Sequence, residues 1–274
     1  MSRADRSAAW PAALILAAAL APALAGHTAA AGPTAGTPGP PAGVPRPYSG
    51  RMVQVPSGDE TIDAYLSVPP KPARGVVVVV HEWWGLNAWV KKVANRYASQ
   101  GYVAIAPDLY RGKVAADAEL AHELSRGLPQ ERAVRDIRAA RAYLDTLREG
   151  AGRPGGVIGF CMGGGLALRA ALDSADFRAV VLCYGSVVGE PERLRTLRGP
   201  VLGVFGADDR GIGVDQTQAL ERGLRAAGNA GVVRVYKGVG HAFLNEERAG
   251  HDPDVSRQAW GDIDAFLVKN VAGQ

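Results

Sequence analysis

The chain has 274 residues, long enough for one large domain with a proper core, and its 47% hydrophobic and 21% charged residues exclude a disordered or fibrous chain. The formal charge is +4, with the arginines spread through helical stretches and not gathered in one block, which argues against nucleic acid as a partner. Two cysteines cannot build a disulfide scaffold. Residues 1–25 carry Arg3 and Arg6, an apolar run over 12–21, and then Ala23, Leu24 and Ala25 in the small-x-small form that a signal peptidase cuts. They read as a cleaved secretory signal, because the run falls well short of the ~20 apolar residues that span a bilayer. Residues 26–50 are mostly Ala, Gly, Thr and Pro, a composition that buries too little area to offset its ordering entropy. The expectation is an exported protein, periplasmic or secreted, with no stable membrane span after cleavage and a folded part over 51–274.

Within that part, 51–55 and 62–68 alternate around the turn Pro56-Ser57-Gly58-Asp59 and predict an antiparallel pair. Residues 75–80 hold five consecutive valines, the pattern of a strand buried on both faces. Asn87 can cap a helix that ends near Gly101, and 102–106 is the next strand. Over 131–148, Ala133, Ile137, Ala140, Leu144 and Leu147 share one helix face, with Arg132, Arg135 and Arg138 expected on a solvated one. Strands at 156–160, 179–183, 201–205 and 232–236 alternate with helices at 163–173, 214–227 and 255–269. This order predicts a single α/β domain, a doubly wound, mostly parallel sheet with helices on both faces and catalytic loops at the carboxyl ends of its strands.

The stretch Gly159-Phe160-Cys161-Met162-Gly163 follows a strand and opens a helix, and it has the G-x-nucleophile-x-G form of a strained nucleophile elbow with cysteine in the reactive slot. The helix amino terminus favours a thiolate there. A thiol nucleophile needs a histidine oriented by a carboxylate. His241 follows the 232–236 strand, whereas His251 lies in a polar joint, and the acid is one of the neighbours Asp208 and Asp209 after the 201–205 strand.

With His81-Glu82-Trp83-Trp84-Gly85-Leu86-Asn87 after the valine strand, and with Ala106-Pro107-Asp108-Leu109-Tyr110, the cysteine elbow, Phe205-Gly206-Ala207-Asp208-Asp209 and Gly240-His241-Ala242-Phe243, the chain resembles the dienelactone hydrolase (carboxymethylenebutenolidase) family from about residue 51 to 269. The resemblance implies an α/β-hydrolase fold and a hydrolase that opens an ester or lactone through a thioester on Cys161, with His241 and Asp209, and not Asp208, completing the triad. It also implies that Glu82 hydrogen-bonds the resting thiol and takes its proton, that the backbone N–H groups of Met162 and Trp83 form the oxyanion hole, and that no metal or organic cofactor is required. Trp83, Trp84, Trp89 and Tyr184 could line an apolar pocket.

The chain departs from the family where an arginine would bind a substrate carboxylate: Asn245 stands there, followed by Glu246 and Glu247, which predicts a neutral or acidic surface. Arg111, Arg126 and Arg132 are the replacements at hand, with Arg126 placed in the substrate pocket. The partner expected is a small ester or lactone, and the protein a monomer. Other readings left open are a general carboxylesterase or peptidase of the same fold, a thiol redox protein using Cys161 and Cys183, and a secreted binding module with an idle site.

Overall fold

The structure is a computed structural model that describes residues 49–172 and 174–272. The expected signal and nearly all of the expected tail lie outside those residues. Gly50, counted with the tail, is already tied to the domain: its N–H donates to the Tyr65 hydroxyl at 2.7 Å.

The strands and helices run in the order β1 (Arg51–Ser57), β2 (Glu60–Ser67), β3 (Gly75–Val80), α1 (Ala88–Ser99), β4 (Tyr102–Pro107), α2 (Ala118–Arg126), α3 (Gln130–Thr146), β5 (Gly155–Phe160), α4 (Met162–Ala171), β6 (Ala179–Cys183), α5 (Pro191–Leu194), β7 (Val201–Gly206), α6 (Val214–Ala226), β8 (Val232–Tyr236) and α7 (Pro253–Asn270). They build one 8-stranded sheet in the order β1-β2-β4-β3-β5-β6-β7-β8. β1 and β2 pair antiparallel, β2 meets β4 antiparallel, and every later pairing is parallel. This is the α/β-hydrolase arrangement expected from the sequence.

The valine run explains the layering. Val76, Val78 and Val80 enter the core shared with Ile137 and Leu144 of α3, Leu168 of α4 and Leu220 of α6. Val77 and Val79 point the other way, onto Trp89 and Val93 of α1 and Ile263 and Leu267 of α7. Each fully buried valine contributes about 1.5–3 kcal/mol, so a strand with no polar face is stable only between two helical layers. Asn87 caps α1 as expected, its Oδ1 accepting from the Val90 N–H at 3.1 Å.

Three local features differ from the sequence reading. Helix α2 has no counterpart in the sequence reading; it turns Leu120, Ala121 and Leu124 to one face, with Ala121 buried, and Asp117 caps it. Strand β8 closes the sheet at its edge, and Val232 and Val235 are exposed there. The arginine face of α3 is also not simply solvated: Arg138 donates to the Ala170 carbonyl at 2.9 Å and to that of Leu172, the open carbonyl end of α4, and Arg132 donates to the Leu109 carbonyl at 3.3 Å. Arg111, on the loop after β4, pairs with the fully buried Asp136 at 2.8 Å.

No helix among the described residues is long and apolar enough to cross a membrane.

Candidate active site

Strand β5 hands its chain to α4 through one residue, Cys161, which sits at φ 56° and ψ −121°. A side-chain-bearing residue at positive φ is strained by about 1–3 kcal/mol and persists only where its surroundings fix it. Here the Cys161 N–H donates to the Cys183 carbonyl at 3.0 Å, and its own carbonyl accepts from the Gly164 N–H at 3.0 Å. The flanking glycines are required by space: a β-carbon at 163 would lie 2.6 Å from the Val80 carbonyl oxygen and closer still to that of His81. The close approach of α4 to the end of β3 lifts the Cys161 sulfur above the sheet, at the amino end of a helix.

The loops after β7 and β8 bring the other two side chains to it. Asp209 is buried, whereas Asp208 is exposed. Asp209 Oδ1 accepts from the N–H groups of Gly211 (2.8 Å) and Ile212 (3.1 Å), and Oδ2 accepts from His241 Nδ1 at 2.8 Å. The carboxylate therefore holds the ring with Nδ1 protonated, and Nε2 is the nitrogen left for the sulfur. Burial would lower the His241 pKa, but its hydrogen bonds and charge interactions with Cys161 and Asp209 outweigh that and raise it to about 9. Tyr184 stacks edge-on against the same ring, with centroids 5.2 Å apart.

The first loop, after β3, supplies His81 and Glu82, both buried. His81 is a brace: Nδ1–H donates to the Glu82 carbonyl at 2.6 Å and Nε2 accepts the Leu109 N–H at 3.3 Å. Burial lowers its pKa, and a ring that accepts a backbone N–H is held neutral. Glu82 does not turn its described hydrogen bonds to the thiol. Its Oε2 accepts from Asn245 Nδ2 at 2.9 Å, and its Oε1 accepts from the Tyr184 hydroxyl at 3.4 Å. Burial raises the Glu82 pKa, opposed by the Asn245 hydrogen bond and by the charges of Arg248 and His241.

Asn245 and Tyr184 were expected to face substrate, and both are instead fully buried. The reason is that Asn245 is the donor a buried carboxylate requires. Glu246 and Glu247 are likewise engaged, with Trp89 Nε1 donating to Glu246 at 2.7 Å and Lys92 pairing with Glu247 at 2.9 Å. Trp89 is core, 1% exposed and edge-on to Phe160.

The half-buried Trp83 and Trp84 stand next to Glu82, their rings 5.1 Å apart. Trp83 also meets His122 of α2 at 4.7 Å, a contact between distant segments that no local sequence pattern reveals. The Arg248 guanidinium lies 3.8 Å from the centre of the Trp84 ring. Arg126 is exposed, and its Nε reaches back to the His122 carbonyl at 3.4 Å. Of the other candidate arginines, Arg111 is committed to Asp136 and Arg132 to Leu109. Met162, at the first position of α4, borders a cavity of about 140 Å³ together with Leu128 and Ser186. Both cysteines are free, and Cys183 is fully buried.

The chain is similar to several known proteins over this whole region. It is 31% identical over 226 residues to "Protein usf" of Aquifex pyrophilus, covering 80% of this chain and 97% of that one. It is 31% identical over 231 residues to the "Putative carboxymethylenebutenolidase" of Yersinia pestis, covering 75% and 83%. Among solved structures, that of the "Putative Dienelactone Hydrolase" of Klebsiella pneumoniae superposes with a TM-score of 0.74 at 27% identity, covering 80% of this chain and 98% of that one. An acylaminoacyl peptidase of Pyrococcus horikoshii, at 14% identity and a TM-score of 0.69 over 83% of this chain and 42% of its own, shares the fold alone. The family model for the dienelactone hydrolase family matches residues 62–270, and the chain belongs to that family, hydrolases acting on ester or lactone bonds.

Proposed function

We propose that the protein hydrolyses an ester or lactone through a thioester on Cys161, with His241 as the proton carrier and Asp209 as its orienting partner. The observation that carries this reading is the convergence of three strand ends on one point: a strained cysteine after β5, and a histidine after β8 whose Nδ1 is fixed by a buried aspartate after β7. With the imidazole protonated up to about pH 9, His241 carries a proton ready for the leaving oxygen.

The thiolate attacks the carbonyl carbon, and the carbonyl electron pair moves onto oxygen. That oxyanion is placed to accept hydrogen bonds from the Met162 N–H at the start of α4 and from the Trp83 N–H in the first loop, where each such donor is worth roughly 3–4 kcal/mol in comparable enzymes. The C–O bond then breaks, and the leaving oxygen takes the proton from His241 Nε2. Neutral His241 next takes a proton from water. The water oxygen attacks the thioester, the C–S bond breaks, and carboxylic acid and thiolate are regenerated.

Glu82 has no proton-transfer step in this scheme. Held by Asn245 and Tyr184, it is a buried negative charge close to the imidazolium, and it favours the charged state of the ring.

The test is hydrolysis of a chromogenic short-chain ester by the protein from Gly26 onward, before and after alkylation by iodoacetamide. Activity is expected to fall in step with labelling of Cys161 and to be absent in Cys161→Ala. A Cys161→Ala protein with the full rate would remove the mechanism.

A further inference from the structure

The two N–H groups assigned to the oxyanion come from different segments, Trp83 from the loop after β3 and Met162 from the first turn of α4. Their separation decides how well they fit one oxygen. The first N–H groups of a helix have no acceptor within it, and the N-cap Cys161 gives α4 no side-chain hydrogen bond. The Met162 side chain is therefore a further point at which this turn is held.

Tyr110, on the turn after β4, touches both segments. Its hydroxyl donates to Met162 Sδ at 3.3 Å. Its ring lies against the first loop, edge-on to His81 with centroids 5.0 Å apart, and a β-carbon at Gly85 would come within 3.2 Å of its Cδ2. Gly85 stands at φ 89°, so the loop passes close over the ring in a conformation that suits glycine. The same turn meets the loop once more, where the Ala115 N–H donates to the Trp84 carbonyl at 3.0 Å.

Tyr110 is itself firmly held. It is 5% exposed, and its N–H donates to Asp108 Oδ1 at 2.9 Å, while Asp108 Oδ2 accepts from the Gly112 N–H. Arg111 follows at φ 56°, fixed by its ion pair with the buried Asp136. The acceptor, by contrast, is weak and adaptable, a thioether on three rotatable bonds. A buried hydroxyl bonded to such an acceptor adds little stability, but it selects one position for the sulfur and so for the residue that carries it. Burial, and then the nearby Cys161 sulfur, raise the Tyr110 pKa, so the phenol stays a neutral donor.

We propose that Tyr110 is a positioning residue of the oxyanion hole, a brace that sets the separation of the Trp83 and Met162 N–H groups through its ring on the first loop and its O–H···S bond to α4. It acts through Gly85 and Met162 and not on the reacting atoms. Since the oxyanion exists only after attack, the effect belongs to kcat and not to KM. The proposal rests on the hydrolase reading above, and one of its tests needs no turnover.

Tyr110→Phe keeps the ring and removes the bond; Met162→Leu keeps the N–H and nearly the volume and removes the acceptor. Complete loss of an oxyanion donor costs about 10²–10³ in kcat, and a loosened donor is expected to cost about tenfold in each variant, with KM within about twofold. Because both variants break one bond, the double variant is expected to be no slower than either alone. Alkylation of Cys161 by iodoacetamide, a displacement that builds no oxyanion, is expected to keep its rate in all of them. An unchanged kcat in Tyr110→Phe overturns the brace, and so do losses that multiply in the double variant. Alkylation that slows in step with hydrolysis also overturns it, by placing Tyr110 at the thiol.

The test without turnover uses the protein from Gly26 onward with 15N and 13C-methyl label in methionine, where Met52 and Met162 are the methionines besides an initiating one. Tyr110→Phe is expected to shift both the methyl and the amide resonances of Met162 and neither of Met52. A Met162 methyl that shifts while its amide stays in place breaks the link from side chain to N–H and overturns the brace. Both resonances shifted in a protein that hydrolyses no ester would support the brace and count against the hydrolase reading alone.

Discussion

The close approach of α4 to the end of β3 predicts a sharp difference between two glycine substitutions. In Gly163→Ala the new β-carbon would lie 2.6 Å from the Val80 carbonyl oxygen, and the His81 carbonyl is nearer still. Ordinary contacts of this kind begin near 3.4 Å, so the backbone must open by at least about 0.8 Å; both obstacles are main chain in a fully buried strand and its first loop residue, with no flexible side chain to turn aside. Overpacking of this kind costs about 1–3 kcal/mol. For a domain of this size that corresponds to a Tm lower by about 2–12 °C. The same displacement moves the Met162 N–H and the Cys161 sulfur relative to the Trp83 loop, and a misplacement near 1 Å costs about 10²-fold in rate. Gly261 lies in α7 with nothing within 4 Å of its β-position, so Gly261→Ala is expected to raise stability by up to about 1 kcal/mol through helix propensity and to leave the rate unchanged. Thermal unfolding followed by circular dichroism, with ester hydrolysis on the same samples, reads both effects. A Gly163→Ala protein that melts and turns over like the wild type would refute the account of the elbow.

Two further predictions concern protons. Folded His241 keeps its proton to about pH 9, against about 6.5 for an unperturbed histidine, so the stability that this proton confers is complete below pH 6.5 and is lost as pH rises toward 9. The ring is 41% exposed, and solvent screening reduces the effect below what the shift alone would give. The urea midpoint should fall across that window in the wild type and fall less in Cys161→Ala, which lacks the sulfur that supports the charge; parallel profiles would show that the sulfur does not hold the proton. Glu82 is an acid whose burial raises its pKa, so the folded protein loses stability as pH climbs through the range where Glu82 ionises. Glu82→Gln still offers Asn245 an acceptor and carries no buried charge, and it should be more stable than the wild type at pH 7 by about 1 kcal/mol, with the gap closing toward pH 4. Denaturation at the two pH values checks this, and a variant less stable at pH 7 would mean that the charge is fully compensated.

The parts of the molecule legible in the sequence are those in which one segment determines its own environment. The valine run is a strand buried on both faces whatever surrounds it, and a cysteine between spaced glycines after such a strand has few conformations open to it. The histidine and aspartate are legible for a related reason, since each follows a strand end and all parallel strands deliver their carboxyl ends to the same edge. What stayed hidden is pairwise. Arg138 has the same periodicity whether it faces water or the carbonyl end of α4, and only the packing of α3 on α4 decides between them. The contact of His122 of α2 with Trp83 is pairwise in the same way, and no period in either segment announces it.

Asn245 shows where a familiar pattern misleads and physical chemistry corrects it. Read by position, it is a lost cation at a substrate surface. Read by its surroundings, it is the amide that donates to Glu82 from 163 residues away, in a place where an unpaired carboxylate would be costly. Tyr184 does the same work from 102 residues away, and its ring also backs His241. A buried carboxylate held by two neutral donors acts on the imidazolium through its charge without exchanging protons with the sulfur. If that is its role, Glu82→Gln should lower the pH at which His241 deprotonates, and therefore the upper limb of the pH-rate profile, more than it lowers the maximal rate. A variant whose upper limb stays in place while the rate collapses would return Glu82 to direct proton transfer.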